Sequence, residues 1–84
     1  MFLKEIKWQN FSLRVKRHII EYAIPQYGED NDIAEDYTYE ECMLHIKKYL
    51  ARSGNNTRLN HDKLDCLKIA HYAQMAYDKL EKDA

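Results

Sequence analysis

Glycine, proline and cysteine are scarce in this chain, and each shortage excludes something. Two glycines and one proline in 84 residues leave too little turn chemistry for a sandwich or barrel of short strands. A few long helices are expected instead. Two cysteines are too few for a disulfide framework, and both sit inside helical patterns. Cys42 and Cys66 are therefore expected as buried free thiols in a reducing compartment. No glycine-rich phosphate loop occurs, which excludes P-loop chemistry. No long apolar run occurs either. Lys4, Glu5 and Lys7 interrupt the opening Met1–Trp8, so neither a signal peptide nor a membrane span is expected there, and the expected location is the cytoplasm. Charge of one sign does not dominate: the formal net charge is −1. Wholesale electrostatic binding to nucleic acid is not expected.

What is present is one domain's worth of chain, residues 1–84, with seven tyrosines. Tyrosine carries a large apolar body and a polar tip, which suits half-buried surfaces and interfaces. A chain this short buries a modest core, so a partner would help its stability.

The hydrophobic pattern predicts an all-α domain of three helices: an N-terminal helix and a helical hairpin over 39–80. Phe11, Val15, Ile19 and Tyr22 recur at helical steps, with Asn10 as N-cap. Leu13, Ile20 and Ile24 make a thinner stripe on the other side. Pro25 is expected to stop this helix. Residues 1–9 either extend it or form an arm. A long connection from Gln26 to Tyr37 follows, strongly acidic through Glu29, Asp30, Asp32, Glu35 and Asp36. Loops of this length are often functional or mobile.

Thr38-Tyr39-Glu40-Glu41 reads as a capping box opening the second helix. Tyr39, Cys42, Met43, Ile46, Tyr49 and Leu50 form its apolar face. Arg52 suits the last turn, and Gly54 suits the C′ position. Asn60 is expected to cap a third helix from about His61 to Leu80. Cys66, Ala70, Ala73, Tyr77 and Leu80, spaced four-three-four-three, are assigned to the domain core. Leu64, Leu67, His71, Tyr72 and Met75 then lie on a second side, too apolar for solvent alone. An oligomer is therefore expected, with Leu64, Leu67 and Met75, together with Glu35 and Asp36 of the acidic loop, as partner-binding residues.

Catalytic signatures are weak. His61-Asp62 matches the metal-binding pair of HD-type phosphohydrolases, but the further His and Asp those enzymes need are missing. Asp30-Asn31-Asp32 begins like an EF-hand loop without its Gly and terminal Glu. Glu41 and the Asp62/Asp65 pair supply half of a MazG-like magnesium site. No nucleophile–base pair stands out, because both cysteines lie on apolar faces. No metal or cofactor is expected, and the reading leans away from an enzyme.

The stripe Glu41, His45, Lys48 and Arg52 shares one side of the second helix. Arg58 lies in the adjoining turn, and Lys68, His71 and Tyr72 on the third helix. Folded as a hairpin, Lys48, Arg52, Arg58, Lys68, His71 and Tyr72 would make a basic, aromatic-edged site for a phosphate or nucleotide. The plainer alternative is a solvated helix face with ion pairs.

The pattern of Lys48, Tyr49, Arg52 and Gly54, followed by Asp65, Leu67 or Lys68, Ala70 and Tyr72, resembles a small bacteriophage family. Its members carry a K-Y-x-x-R-x-G turn and then a D-L-x-K-A-x-x-Y helix. The family includes the SaV-like phage proteins and a phage nucleotide kinase without a P-loop. The likeness covers residues 43–77; the family's His-Tyr start is absent here. It implies a phage origin, a host-cell cytoplasmic location and a link to nucleotides. Three functions follow as expectations: a nucleotide- or phosphate-binding module, an interaction protein that inhibits or redirects a host or anti-phage defence protein, and an enzyme on nucleotides.

Overall fold

The computed structural model describes residues 2–27, 37–52, 55 and 60–83, and no side chain at 26, 27, 82 or 83. The described residues contain helix and no strand. Helix α1 spans Leu3–His18. A π-helical turn over Ile19–Ala23 joins it to a short α2, Ile24–Tyr27. Helix α3 spans Tyr39–Ala51 and helix α4 spans His61–Asp83. The protein is thus the expected small all-α domain. None of these helices is long and apolar enough to cross a membrane.

The N-terminal helix is longer than expected at both ends. Nothing in residues 3–10 breaks the backbone ladder, and Ile6 N–H already donates to the Phe2 carbonyl at 3.2 Å. Asn10 is therefore mid-helix, not a cap. Pro25 does not stop the rod. Proline withholds an N–H and its ring collides with the carbonyl four residues back. The widened turn just ahead of it absorbs this: the Ile24 N–H donates to Ile19 O, a five-residue bond.

Helix α3 starts as its sequence dictates. The Thr38 Oγ1 accepts from the Glu41 N–H at 3.1 Å, and the Thr38 N–H donates to Glu41 Oε1 at 3.3 Å. Asn60 precedes α4 in the left-handed region, φ 66°, where Asn is better tolerated than most residues. Its carbonyl still accepts from the Leu64 N–H.

Helices α3 and α4 form the hairpin, and α1 lies against α4. The buried apolar residues among those described are few: Cys42, Tyr49 and Ala76. Two polar residues, His18 and Asp65, are buried with them. The radius of gyration, 13.9 Å, exceeds the roughly 12 Å expected for a compact domain of this length.

The two sides of α4 are exchanged relative to expectation. Cys66, Ala73, Tyr77 and Leu80, assigned to the core, are exposed, and Ala70 is half-buried. Asp65 and Ala76 are buried, and Lys68, Ile69 and Tyr72 half-buried between them. The physical reason lies in polar pairing. Asp65 and Tyr72 have partners on α3, and satisfying them fixes α4's rotation. Burying a carboxylate is tolerable only with such a partner. Hydrophobic spacing carries no information about that constraint. Cys66 is consequently exposed, whereas Cys42 is buried as expected. The α3 face splits as well: Met43 and Leu50 remain exposed beside Cys42 and Tyr49.

Candidate basic-aromatic site

The site grows from the contact between the end of α3 and the beginning of α4. Arg52 stands at the C-cap of α3. Its Nε donates to Asp65 Oδ2 at 3.0 Å and its Nη2 to Asp65 Oδ1 at 2.6 Å. This two-toothed geometry is what a planar guanidinium and a carboxylate make together. The hydrogen bonding that Arg52 donates to Asp65 holds its guanidinium all the more firmly protonated.

Three cations gather on one ring. Lys48 Nζ stands 5.2 Å from the centre of Tyr49, Arg52 Cζ 4.7 Å and Lys68 Nζ 5.5 Å. Lys68 also stands 5.4 Å over Tyr22, on the π turn. The face of an aromatic ring is electron-rich and attracts cations. Burial pushes the Lys68 ammonium below its ordinary value, and Arg52 and Lys48 push it further, against the pull of Asp65.

Beside these cations runs a ladder of rings. His45 stacks on Tyr72 at 4.6 Å with planes 5° apart. Tyr37 stacks on His45 at 5.1 Å. Tyr72 lies 6.1 Å from Tyr49 and 6.4 Å from His71. From α1, the buried His18 stacks on Tyr22 at 5.1 Å. Burial lowers the His18 pKa, and the nearby charges of His71 and Lys68 lower it further. Three helices therefore converge on one polar, aromatic, cation-rich region.

Of the expected ligand residues, Lys48, Arg52, Lys68, His71 and Tyr72 come together. Arg58 lies outside the described residues, as do Glu35 and Asp36. Leu64, Leu67 and Met75 are half-buried on α4. Sequence reasoning did not place Tyr49, Tyr22 or His18 here. Tyr49 and Tyr22 read as parts of apolar faces, and nothing in the spacing around His18 marks it. One signal was available: Tyr49 stands one residue after Lys48 and three before Arg52, as a ring under two cations would.

Among the described residues, no group of three His, Cys, Asp or Glu gathers that could hold a metal. His61 and Asp62 simply open α4. Comparison of the chain with protein-family models, curated proteins and solved structures finds no match.

Proposed function

We propose that this is a phage-encoded helical module that binds a nucleotide or another phosphorylated small molecule at the basic-aromatic region of the hairpin. The phage origin rests on the motif resemblance over residues 43–77. The ligand class rests chiefly on one observation: Lys48, Arg52 and Lys68 crowd around the Tyr49 ring, while Asp65 pairs with one of them. Of the three, Lys68 has its charged form disfavoured, by burial first and then by Arg52 and Lys48. A phosphate entering among them relieves that repulsion and accepts hydrogen bonds from ammonium and guanidinium groups. The stacked faces of His45, Tyr72 and Tyr37 offer a platform of the kind on which nucleobases stack. The test is thermal stabilisation by inorganic phosphate and by nucleoside mono-, di- and triphosphates. A ligand at 100 times its Kd stabilises by about 2.7 kcal/mol. Lys48→Glu and Lys68→Met should each abolish the shift. A wild-type protein indifferent to every anion in the panel defeats the proposal.

A second reading, an interaction protein aimed at a host or defence protein, draws support from α1. Phe2 at its N-cap and Leu3, Ile6, Trp8 and Leu13 along it are exposed, among Lys4, Lys7, Arg14, Lys16 and Arg17. It expects a host protein to co-purify and to be lost when Glu35 and Asp36 are neutralised. Unchanged recovery argues against it.

A further inference from the structure

The hairpin has two sides, and α1 covers one of them. On an α-helix each residue advances 100°. On α3, Met43 and Leu50 stand about a quarter turn from the buried line Cys42–Tyr49, with Tyr39 and Ile46 between them. On α4, Ala73 and Tyr77 stand about a quarter turn, in the same rotational sense, from the buried line Asp65–Tyr72–Ala76. The helices run antiparallel, so equal rotation brings both stripes to the same side of the hairpin. Lys68, which stands over Tyr22 of the α1 rod, and His71, whose charge acts on His18, are rotated the opposite way. The stripe side is therefore the side away from α1. It is apolar and open: Leu50 is 59% exposed, Tyr77 61% and Leu80 51%.

We infer that a second copy of this chain packs on this face, laying α4 antiparallel on its counterpart so that the two hairpins make a four-helix bundle. Three observations single out that occupant. The first is area. The chain exposes 6831 Å², whereas a folded monomer of its mass exposes about 5,300 Å². The excess belongs to the whole chain, α1 included, and leaves room for the roughly 800 Å² each partner gives to a standard interface. The second is shape. The four-three-four-three spacing of Cys66, Ala70, Ala73, Tyr77 and Leu80 is that of a helix-pairing seam. Its small residues fall at the middle, where two antiparallel helices cross. The third is charge. Lys63 and Glu81 are five turns apart on the outer rim of this stripe, and both are exposed. A two-fold axis across the middle of α4 sets Lys63 of each copy against Glu81 of the other. Packing through α1 instead would crowd together its five Lys and Arg residues from each copy, which opposes it.

This inference stands independently of the anion-binding proposal. The test is solution mass by light scattering across a range of concentrations. The wild type should run at twice 10.1 kDa. Leu80→Glu should run as a monomer with unchanged helical circular dichroism. Lys63→Glu and Glu81→Lys should each weaken the dimer at least several-fold, and the double exchange in one chain should restore it. Restoration requires that the two residues meet across copies, and a merely sticky face would not show it. Lys63, Leu80 and Glu81 all lie on the surface, so folding is not at stake. A monomeric wild type at high concentration, or a dimer indifferent to the double exchange, overturns the inference.

Discussion

Arg52 closes α3 by gripping Asp65 in the second turn of α4, with both of its bonds on one carboxylate. Asp65 is buried while Arg52 remains more than one-third exposed, so the pair is lopsided. Removing the arginine leaves a buried carboxylate short of its strongest partner. Arg52→Ala should lower stability, but by less than the loss of one partner from a fully buried pair, because solvent reaches the arginine side. Adding Asp65→Asn should recover part of that loss in a urea titration. Two additive losses would mean the pair is not coupled.

Lys68 gives a contrast between stability and binding. Its ammonium is disfavoured by burial and by Arg52 and Lys48. Lys68→Met keeps the packing of its stem and removes the charge. The variant should melt higher than wild type without ligand, and should no longer respond to phosphate. A lower melting temperature would assign Lys68 a structural role instead. The sign of the pH effect follows. The folded pKa of Lys68 is lowered, so phosphate affinity should decline as pH rises through the folded value, below the ordinary lysine range.

Acid should loosen the docking of α1. His18 is held below its ordinary pKa of 6.5 by burial, His71 and Lys68. Above about pH 6.5 the unfolded chain and the folded one are both neutral there, and His18 contributes no pH dependence. Below it the unfolded chain binds the proton first, so stability falls until the folded pKa is passed. His18→Gln should flatten the acid limb of a stability profile between pH 7 and 5. An unchanged slope would point to other groups.

The two thiols should separate under alkylation. Cys42 is fully buried, and burial, assisted by Glu41 and opposed by Lys79, raises its pKa. It should label only as the protein opens. Cys66 is exposed in the single chain. Its labelling should slow with rising protein concentration as the second copy covers it. Mass spectrometry of each cysteine-bearing peptide reads both rates.

Thr38→Ala should cost about 1 kcal/mol, the usual worth of an N-cap side chain. Urea unfolding followed by circular dichroism measures it. No loss would mean that Glu41 alone sustains the start of α3.

What the sequence made legible is what local chemistry dictates. The Thr38–Glu41 box fixed the start of α3 to the residue, because both of its hydrogen bonds lie within four residues of chain. Periodicity found α4 and the hairpin. It misjudged which side of α4 faces inward, since Cys66–Leu80 and Leu64–Met75 are both apolar enough to qualify. The deciding contacts, Arg52 with Asp65 and His45 with Tyr72, join residues distant in the chain. A side chain's partner across a hairpin leaves no mark on its own neighbours. The cations were found because Lys48 and Arg52 share one helix. Tyr22 and His18 were missed because they reach the site only through the path of the α1 rod.

That path has a phase as well as a direction. The π turn at Ile19–Ala23 is, in effect, one residue more than a regular helix would use between His18 and Pro25. It works as a vernier: a small excess of chain resets the angular position of everything downstream. Tyr22 lies within the turn itself and meets Lys68 from there. Loss of one residue from this stretch would leave composition, charge and helix content almost untouched, yet rotate the ring out from under the ammonium. The length of the rod, counted in single residues, is thus itself a specification of the site.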